Sequence, residues 1–570
     1  MSGRPWLIGC WPDDSVAVGE AGAVKIAVVG QHAATADRLA AAAAHASDVA
    51  DLDRFARSLV GSFHLIASVA GQVRVQGTVT GLRRVFHGRI GGVTVAADRA
   101  DVLAGALDAR LDEQRLAVHL LDPLTLYTLA DEALWPDVRA LAPDRYLVLD
   151  RHGRERSVKW WTPPEPVVAM SEGAPALREA LSAAVDARVR GRDMVSCDLG
   201  GLDSTSLCSL AARRSSDVVA YTADGRDPTG EDTMWARRTV TTLGNIEHHL
   251  ISADRLPAAY DGLHDADADD FDAPSPIAAF RNRVLFIPLQ AALRGSHVHL
   301  TGFGGDELLA GSPAHLHALL RSEPRLALRH ARGFAVQRPW RYRETLRQLL
   351  DHRPYGQWLA RAADQLTAPN APPDTPTLDW GVPPRMPRWA TRDAVEAVRA
   401  RIAAAARTAQ PLARQRGQHV ELEGMQAVSR AVRHVAHMTA RLGLTLAAPY
   451  YDDRVIEAGL AVRPQDRITP WRYKPLIVEA MRGIVPEESL TRSTKDEGSY
   501  EVEDGLRQHR GELLALCEES RLARLGLIDA DALREVCSRP LPPSVSFTAL
   551  YQTVACEVWL RSRERVTIPG

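Results

Sequence analysis

Residues 196–207 read SCDLGGLDSTSL and place two glycines, an aspartate and several hydroxyl side chains at one bend between apolar stretches. Gly200 and Gly201 allow the backbone to approach phosphate oxygens without an intervening Cβ. Ser204 and Thr205 add hydroxyl donors, and a helix that starts here offers free backbone N–H groups to an anion. The bend is therefore a candidate phosphate site, although an ordinary strand-to-helix turn capped by Asp203 fits the same residues.

A second glycine-rich turn supports the phosphate interpretation. TGFGGDELLAG, at 301–311, also follows an apolar strand and carries Asp306 and Glu307. An aspartate beside phosphates indicates a divalent cation between them, and Mg²⁺ takes carboxylate and phosphate ligands. We expect Asp203 and Asp306 to share Mg²⁺ at the carboxyl edge of one parallel sheet. The P-loop pattern GxxxxGKS or GxxxxGKT is absent, which excludes that class of nucleotide-binding protein.

The bulk composition bounds the class of protein. A chain of 570 residues is too long for one core, and 45% hydrophobic with 25% charged residues is ordinary for a soluble globular protein. The formal net charge of −2 argues against nucleic acid as a partner. Six cysteines without CxxC spacing indicate reduced thiols in the cytoplasm. With no signal peptide and no long apolar run, we expect no membrane association.

The elements that must position these motifs fall into two parts. Residues 1–160 show alternating apolar runs and a hairpin around His152-Gly153, which predict a β-rich domain. The proline-rich stretch 162–175 predicts a linker. Strands and helices then alternate, which indicates a parallel α/β sheet, and from about 313 the chain becomes helical with a loop at 368–389. We predict domains at 1–165 and 166–570, with a helical insertion at about 313–415.

Several segments together resemble the asparagine synthetase family. GGLDST, followed about 100 residues later by GFGGDELLAG, is similar to its pyrophosphate loop and second magnesium motif. AYTADGRDPTGEDTMWARRTVTTLGNIEHHLI resembles the strand beside adenine, and YKPLIVEAMRGIVPEESLTRSTKDEG resembles the closing segment with a catalytic lysine. HMTARLGLTLAAPYYDDRVIEAGL resembles the family's RxPFLD segment, and GSFHLIAS and GLRRVFHGRIGGVTVAAD resemble the glutaminase domain. The resemblance implies an N-terminal Ntn-hydrolase-like β sandwich and a C-terminal parallel α/β PP-loop synthetase domain.

Several residues depart from the asparagine synthetase pattern. With these departures the sequence resembles one branch of the family, the lasso-peptide cyclases or macrolactam synthetases. Ser2 follows Met1 where a working glutaminase has its nucleophilic cysteine, so we expect an inactive glutaminase domain and a substrate that supplies its own amine. Leu199 replaces a usual serine, and Phe303 replaces a glutamate, or the tyrosine of relatives that close β-lactams. The closing SFTALYQTVACEVWLRS is similar to the same branch.

The resemblance implies a reaction and a set of site residues. ATP activates an Asp or Glu side chain of a precursor peptide as an acyl-adenylate, and the peptide α-amine attacks to close an isopeptide ring, releasing AMP and pyrophosphate. Lys495, Asp203 and Asp306 are the expected catalytic residues, with Mg²⁺ on the two aspartates and Arg492 as a weaker phosphate candidate. The expected ATP contacts are Leu199, Gly200, Gly201, Asp203, Ser204, Thr205, Thr222, Ala223, Gly302, Gly304, Lys474 and Lys495.

Other assignments stay open at this level. Phe303 is expected to wall the acceptor pocket, and the candidates for a general base, Glu421, Glu423, His434 and His437, also fit ordinary helix faces. The basic run 329–347 fits a solvated helix face or a dock for a partner protein. Expected partners are the precursor peptide, a leader-binding protein and a leader peptidase. The alternatives are a small-molecule amide, β-lactam or asparagine-type synthetase, and a non-catalytic scaffold.

Overall fold

The N-terminal part of the chain is built from two antiparallel sheets. The computed structural model describes residues 6–215, 217–227, 229–264, 271–493, 499–542 and 545–566. A six-stranded sheet has the order β1-β2-β3-β4-β8-β9 and a three-stranded sheet the order β6-β5-β7. The strands are β1 (Val16–Ala21), β2 (Val24–His32), β3 (Gly61–Val69), β4 (Gln72–Gln76), β5 (Phe86–Ile90), β6 (Val93–Ala97), β7 (Arg139–Ala140), β8 (Arg145–Leu149) and β9 (Glu155–Lys159).

Hydrophobic alternation accounts for the way these sheets pack. Val75 and Leu147 of the larger sheet meet Val85 and Leu141, with Ala96 of the smaller sheet packed against them. The expected hairpin forms between β8 and β9, and the alanine-rich stretch near residue 40 is helical. The helices here are α1 (Ala36–His45), α2 (Asp53–Ser58), α3 (Ala100–Leu107), α4 (Glu113–Val118) and α5 (Tyr127–Ala130), and short 3-10 turns lie at Asp13–Ser15 and Val49–Leu52.

The C-terminal part centres on a parallel sheet, which confirms the predicted fold class. Its order is β12-β11-β10-β13-β14, and all four neighbouring pairs are parallel. The central strands are buried runs, as expected when helices cover both faces of a sheet. The strands are β10 (Val195–Asp198), β11 (Val218–Ala223), β12 (Ile246–Ile251), β13 (Val298–Leu300) and β14 (Thr445–Ala447).

Twenty helices lie in the described residues after 165. They are α6 (Met170–Val189), α7 (Leu202–Ala212), α8 (Asp232–Leu243), α9 (Arg281–Leu293), α10 (Gly305–Leu309), α11 (Leu316–Ser322), α12 (Pro324–Gln337), α13 (Tyr342–Leu349), α14 (Tyr355–Asp364), α15 (Arg392–Ala406), α16 (Arg416–Ala440), α17 (Asp453–Ala461), α18 (Pro464–Arg467), α19 (Pro475–Ala480), α20 (Glu487–Leu490), α21 (Ser499–Gln508), α22 (Arg510–Glu518), α23 (Arg521–Arg524), α24 (Ala530–Cys537) and α25 (Phe547–Val566). Three more 3-10 turns lie at Pro276–Phe280, Pro313–His315 and Pro449–Tyr451.

One boundary differs from the sequence-based expectation. The predicted linker 162–175 is wrong at its end, because α6 already begins at Met170 and contains Pro175. Ala174 and Leu177 are buried in the main core, so packing outweighs the helix-breaking tendency of the proline. The predicted loop at 368–389 is confirmed, since no helix or strand forms between α14 and α15.

Two further expectations concern the whole chain. All six cysteines are free thiols, and five of them are buried. No helix in the described ranges is both long enough and apolar enough to cross a bilayer.

Candidate functional site

The first glycine-rich bend lies where β10 gives way to α7. Gly200 has a φ of +148°, a backbone conformation that favours glycine, and Gly201 precedes the first turn of α7. A Cβ on Gly200 would lie 3.1 Å from the Cβ of Asp232, so the bend packs closely against the start of α8. Ser204 Oγ donates to the Gly201 carbonyl over 3.1 Å. The bend therefore presents backbone rather than side chain at the helix N-terminus.

The second glycine-rich turn packs directly on the first. β13 is the parallel neighbour of β10, with Cys197 opposite Leu300, so the two turns leave the same sheet edge side by side. A Cβ on Gly302 would lie 3.1 Å from the Ser204 nitrogen, and one on Gly305 would lie 2.5 Å from Asp203 Cγ. A larger residue at either glycine would push the two turns apart.

Lys474 joins the two aspartates at this edge. Its Nζ lies 2.5 Å from Asp203 Oδ2 and 2.6 Å from Asp306 Oδ1, and the residue is only 3% exposed. Burial alone would lower the pKa of Lys474, but the carboxylates of Asp203 and Asp306 outweigh it and raise that pKa above its ordinary value. The ammonium is therefore charged, and it lies between Asp203 and Asp306, the two carboxylates that we expected to bind Mg²⁺.

The strand beside the bend supplies the expected adenine-side groups. Thr222 Oγ1 donates to the Leu199 carbonyl over 2.7 Å and lies 2.9 Å from His248 Nε2. Ala223 ends β11 at the same edge. These contacts hold the Leu199 and Thr222 backbone in register where the two strands end.

Arg492 also holds the glycine-rich bend in place, through contacts with Gly200 and Asp232. Its Nη1 donates to the Gly200 carbonyl over 2.6 Å and lies 2.5 Å from Asp232 Oδ1. The side chain is almost fully buried. Sequence reasoning ranked Arg492 as a weak phosphate contact, whereas the structure places it on the backbone of the phosphate bend. Lys495, the expected catalytic lysine, lies outside the described residues.

Tyr450 is a site residue that sequence reasoning missed. It is fully buried, and its hydroxyl donates to the Asp203 carbonyl over 3.1 Å. Its neighbour Tyr451 packs against Gly304, which begins the second turn with a φ of +91°. Both tyrosines belong to the segment AAPYYDD, whose resemblance to the family offered the available signal.

The proposed base candidates are not brought to the aspartate pair. Glu421 pairs with Arg467 over 2.5 Å, and Glu423 accepts the Tyr127 N–H over 3.2 Å. His434 stacks on Phe271 with ring centroids 4.6 Å apart. His437 lies 3.0 Å, through Nε2, from a guanidinium nitrogen of Arg99.

Two other predicted positions sit within the packed interior. Phe303 is half-buried and packs against the main hydrophobic core beside the second turn. Thr205 is 2% exposed in the first turn of α7, and its backbone N–H donates to the Gly201 carbonyl. Its hydroxyl is thus less available to a phosphate than that of half-buried Ser204.

The donor set fits a nucleotide with magnesium. The glycine backbone, the start of α7 and Lys474 suit phosphates, while Asp203 and Asp306 suit Mg²⁺. In the described ranges no group of three or more His, Cys, Asp or Glu could hold a metal by itself. Phosphate oxygens would therefore have to complete the coordination of an ion on the two aspartates.

A comparison of the sequence with models of known protein families identifies the family of this chain. Residues 176–561 match the model of the family described as asparagine synthase. The chain belongs to the asparagine synthase family. The matched residues include the glycine-rich bend, the second turn, Lys474 and the helical insertion. The general activity of the family is ATP-dependent formation of an amide bond.

Two solved structures share distant similarity with this asparagine synthase family member. One, described as the allosteric regulatory enzyme of purine biosynthesis, is 13% identical with a TM-score of 0.17, over 41% of this chain and 61% of its own. The other is glutamine phosphoribosylpyrophosphate amidotransferase from B. subtilis with ADP and GMP, at 12% identity, a TM-score of 0.17, and 41% and 62% coverage. The chain thus spans about three fifths of each. No curated protein matches it.

Proposed function

We propose that this protein is a macrolactam synthetase of the lasso-peptide type. Its substrate is a precursor peptide with a free α-amine and an Asp or Glu several residues along the chain. A leader-binding protein and a leader peptidase deliver that peptide. The alternative within the same family is a synthetase that joins small molecules, and the experiment below separates the two.

The observation that supports an adenylating site is the contact of Lys474 with Asp203 and Asp306 at the sheet edge. In the first step, a carboxylate oxygen of the peptide attacks the α-phosphorus of ATP, and the bond to pyrophosphate breaks. In the second, the α-amine attacks the acyl carbon, AMP leaves, and the amine loses its proton. Both steps move negative charge, and a buried ammonium can stabilise it.

Each described residue has a definite part in this scheme. The Gly200–Ser204 backbone holds the pyrophosphate, and Arg492 keeps that backbone in place. Asp203 and Asp306 would hold Mg²⁺, and the ion would supply charge neutralisation for the departing pyrophosphate. Lys474 occupies the space between the two carboxylates and keeps them together when no divalent ion lies there.

A second cleft, whose lining does not include the aspartate pair, lies in the N-terminal part of the chain. This cleft of about 880 Å³ is lined by side chains of both N-terminal sheets. Its walls carry ion pairs, such as Arg84 with Asp131 at 2.5 Å and Arg139 with Glu155 at 2.6 Å. No cysteine is among its described lining residues. We propose that the substrate, rather than glutamine, supplies the amine.

The test is a product assay with a synthetic leader-free peptide, ATP and Mg²⁺. We expect a product lighter by one water, with AMP and pyrophosphate released, and resistance to carboxypeptidase if the tail is threaded through the ring. Asp306→Asn should abolish the product. Asp254→Asn, which changes an exposed carboxylate after the neighbouring strand β12, should leave it unchanged.

Three outcomes would count against the proposal. Release of ADP and phosphate would indicate an acyl-phosphate enzyme. Turnover of free aspartate or another small amino acid without turnover of any peptide would favour the small-molecule alternative. Full activity of Asp306→Asn would remove the aspartate pair from the mechanism.

A further inference from the structure

Helix α12 presents a basic and partly apolar face to solvent. Arg325, Arg329 and Arg332 recur at helical spacing and are exposed. Leu328 and Val336 lie among them and are 38% and 85% exposed. The opposite side of α12 is buried in a small satellite core through Ala327, Ala331 and Phe334. We call the exposed side the basic face of α12.

The charge of this region is unusual for the chain. Residues 321–361 contain ten arginines and three carboxylates, a formal charge of +7 in a protein whose net charge is −2. Within the described ranges, Arg325 and Arg332 have no carboxylate partner. Arg341, Arg347 and Arg353 of this stretch pair with carboxylates, so the uncompensated charge is concentrated on α12. The like charges there repel one another, and a ligand that supplies negative charge would relieve that repulsion.

The basic face is connected to the candidate active site by a short segment. A Cβ on Gly333 would lie 2.4 Å from Pro470 Cγ, so residues 469–472 pack tightly on α12. The ring of Trp471 meets the ring of His330 edge-to-face, with centroids 4.9 Å apart. The Arg329 guanidinium lies over the Trp471 ring at 4.9 Å from its centroid, and Trp471 is 51% exposed. Lys474 follows three residues later. An occupant of the basic face would therefore touch the segment that positions Lys474.

We propose that the basic face of α12, together with Trp471, docks an acidic segment of a partner polypeptide that also carries apolar side chains. The arginines pair with its carboxylates, while Leu328, Val336 and Trp471 take its apolar groups. When the acidic segment of the partner is bound, it restrains residues 469–474 of this chain. This restraint holds Lys474 between Asp203 and Asp306. This inference does not depend on which carboxylate the enzyme activates.

Two other polyanionic occupants fit less well. A nucleic acid would use the arginines but would leave Leu328 and Val336 in contact with water or phosphate. An anionic membrane needs a wide apolar stripe on the lipid-facing side, and the apolar side of α12 is already buried in the protein. An acidic amphipathic peptide uses both the charges and the apolar groups.

The experiment measures binding of a labelled probe peptide of alternating Glu and Leu to the full-length protein by fluorescence anisotropy. We expect binding that weakens as salt rises. The triple reversal Arg325→Glu, Arg329→Glu, Arg332→Glu should weaken it by roughly tenfold or more, because three interface charges reverse sign. Hydrogen exchange at residues 469–474 should slow when the probe is bound.

The matched control reverses three exposed arginines of the N-terminal domain, Arg54→Glu, Arg89→Glu and Arg110→Glu, and so changes the net charge equally. It should bind the probe like the unaltered protein. Equal weakening by both triple variants, absence of probe binding, or tighter binding of duplex DNA or phosphatidylserine vesicles would overturn the proposal. Binding without slower exchange at 469–474 would overturn the link to Lys474.

Discussion

The residue that organises the site is Lys474. Its ammonium closes a bridge between two carboxylates from the first turns of separate helices, α7 and α10, and its backbone adopts a left-handed φ of +40° just before Pro475. Both features are unfavourable for an ordinary lysine, because the first costs desolvation and the second costs backbone strain. Strain and buried charge at one residue are typical of functional sites, where the surrounding structure maintains them.

Replacing Lys474 by methionine tests this bridge. Lys474→Met leaves the carboxylates of buried Asp203 and partly exposed Asp306 facing each other, so we expect the free energy of unfolding to fall by about 3 kcal/mol at neutral pH, the low end of the cost for a buried pair. Added Mg²⁺ should restore part of this loss in the variant and change the parent protein less, because a divalent ion can replace the ammonium. Thermal denaturation with and without Mg²⁺ measures both effects.

The control is Lys159→Met, which removes a half-exposed lysine that pairs with Asp144 at 3.3 Å. It should change stability by less than about 1 kcal/mol and show no magnesium dependence. A Lys474→Met protein as stable as the parent would mean that the aspartates do not need a cation between them.

Arg492 tests the positioning of the phosphate bend. Arg492→Ala removes the donor to the Gly200 carbonyl and the partner of Asp232, so the bend loses its restraint. We expect the KM for ATP to rise by roughly tenfold or more, the size of one lost charged hydrogen bond, with a smaller change in kcat. Steady-state kinetics give the two values separately. Arg482→Ala, an exposed arginine paired with Glu479, should leave both unchanged, and an unaltered KM in Arg492→Ala would remove Arg492 from the site.

At the scale of one element, α16 carries two glutamates with opposite environments. Glu421 is ion-paired with fully buried Arg467. Glu423 lies beside Tyr355 and His419, and burial raises its pKa from 4.5 to about 8. Burial also raises the pKa of Glu421, although the Arg467 guanidinium opposes that rise. Glu423 is expected to be mostly protonated at neutral pH.

The pH dependence of stability follows from Glu423. The unfolded chain releases this proton near pH 4.5 and the folded chain near pH 8, so the contribution is fully present below 4.5 and is lost as pH rises through 8. Glu423→Gln keeps an acceptor for the Tyr127 N–H and removes the titration. We expect it to match the parent near pH 4 and to exceed it by up to roughly 4 kcal/mol at pH 8.

Chemical denaturation at several pH values provides the measurement, and Glu421→Gln provides the contrast. That variant leaves the Arg467 guanidinium buried without its carboxylate, so it should be destabilised by about 3–5 kcal/mol at neutral pH. A Glu423→Gln difference that does not grow with pH would mean that Glu423 is already ionised in the folded protein.

These elements also show how far the sequence could lead. Period-two and strand–helix alternation is local, and it predicted β3, β4, the β8–β9 hairpin and the parallel sheet correctly. The adjacency of the bend and the second turn followed from their common place at strand ends. The contacts of Lys474, Arg492 and Tyr450 join residues between 168 and 292 positions apart, so they depend on tertiary packing that no local pattern encodes. The contacts of Glu421 with Arg467 and of Glu423 with Tyr127 likewise depend on tertiary packing.

At the scale of the whole molecule, a chain of buried polar contacts connects the N-terminal sheets to the sheet edge that carries Asp203. Arg188 on α6 donates to Ser62 Oγ over 2.9 Å and lies 3.4 Å from Asp452 Oδ2. The same carboxylate accepts the Gly61 N–H over 2.6 Å. Asp452 follows Tyr450 by two residues, and Tyr450 holds the Asp203 carbonyl. The N-terminal domain thus supports Asp203, the proposed magnesium ligand, through a short chain of contacts.

Arg188→Met tests this support. It leaves the fully buried Asp452 without its cation, so we expect a loss of about 3–5 kcal/mol and a separation of the thermal unfolding into two transitions, because the halves no longer stabilise each other. Turnover should fall at temperatures where the protein is still folded, since Asp203 is less well held. Calorimetry and the product assay give the two readouts. Arg192→Met, which changes a surface arginine that pairs with Asp14, should keep one transition and full turnover. A single transition with full turnover in Arg188→Met would show that the N-terminal domain is attached to the synthetase without supporting its chemistry.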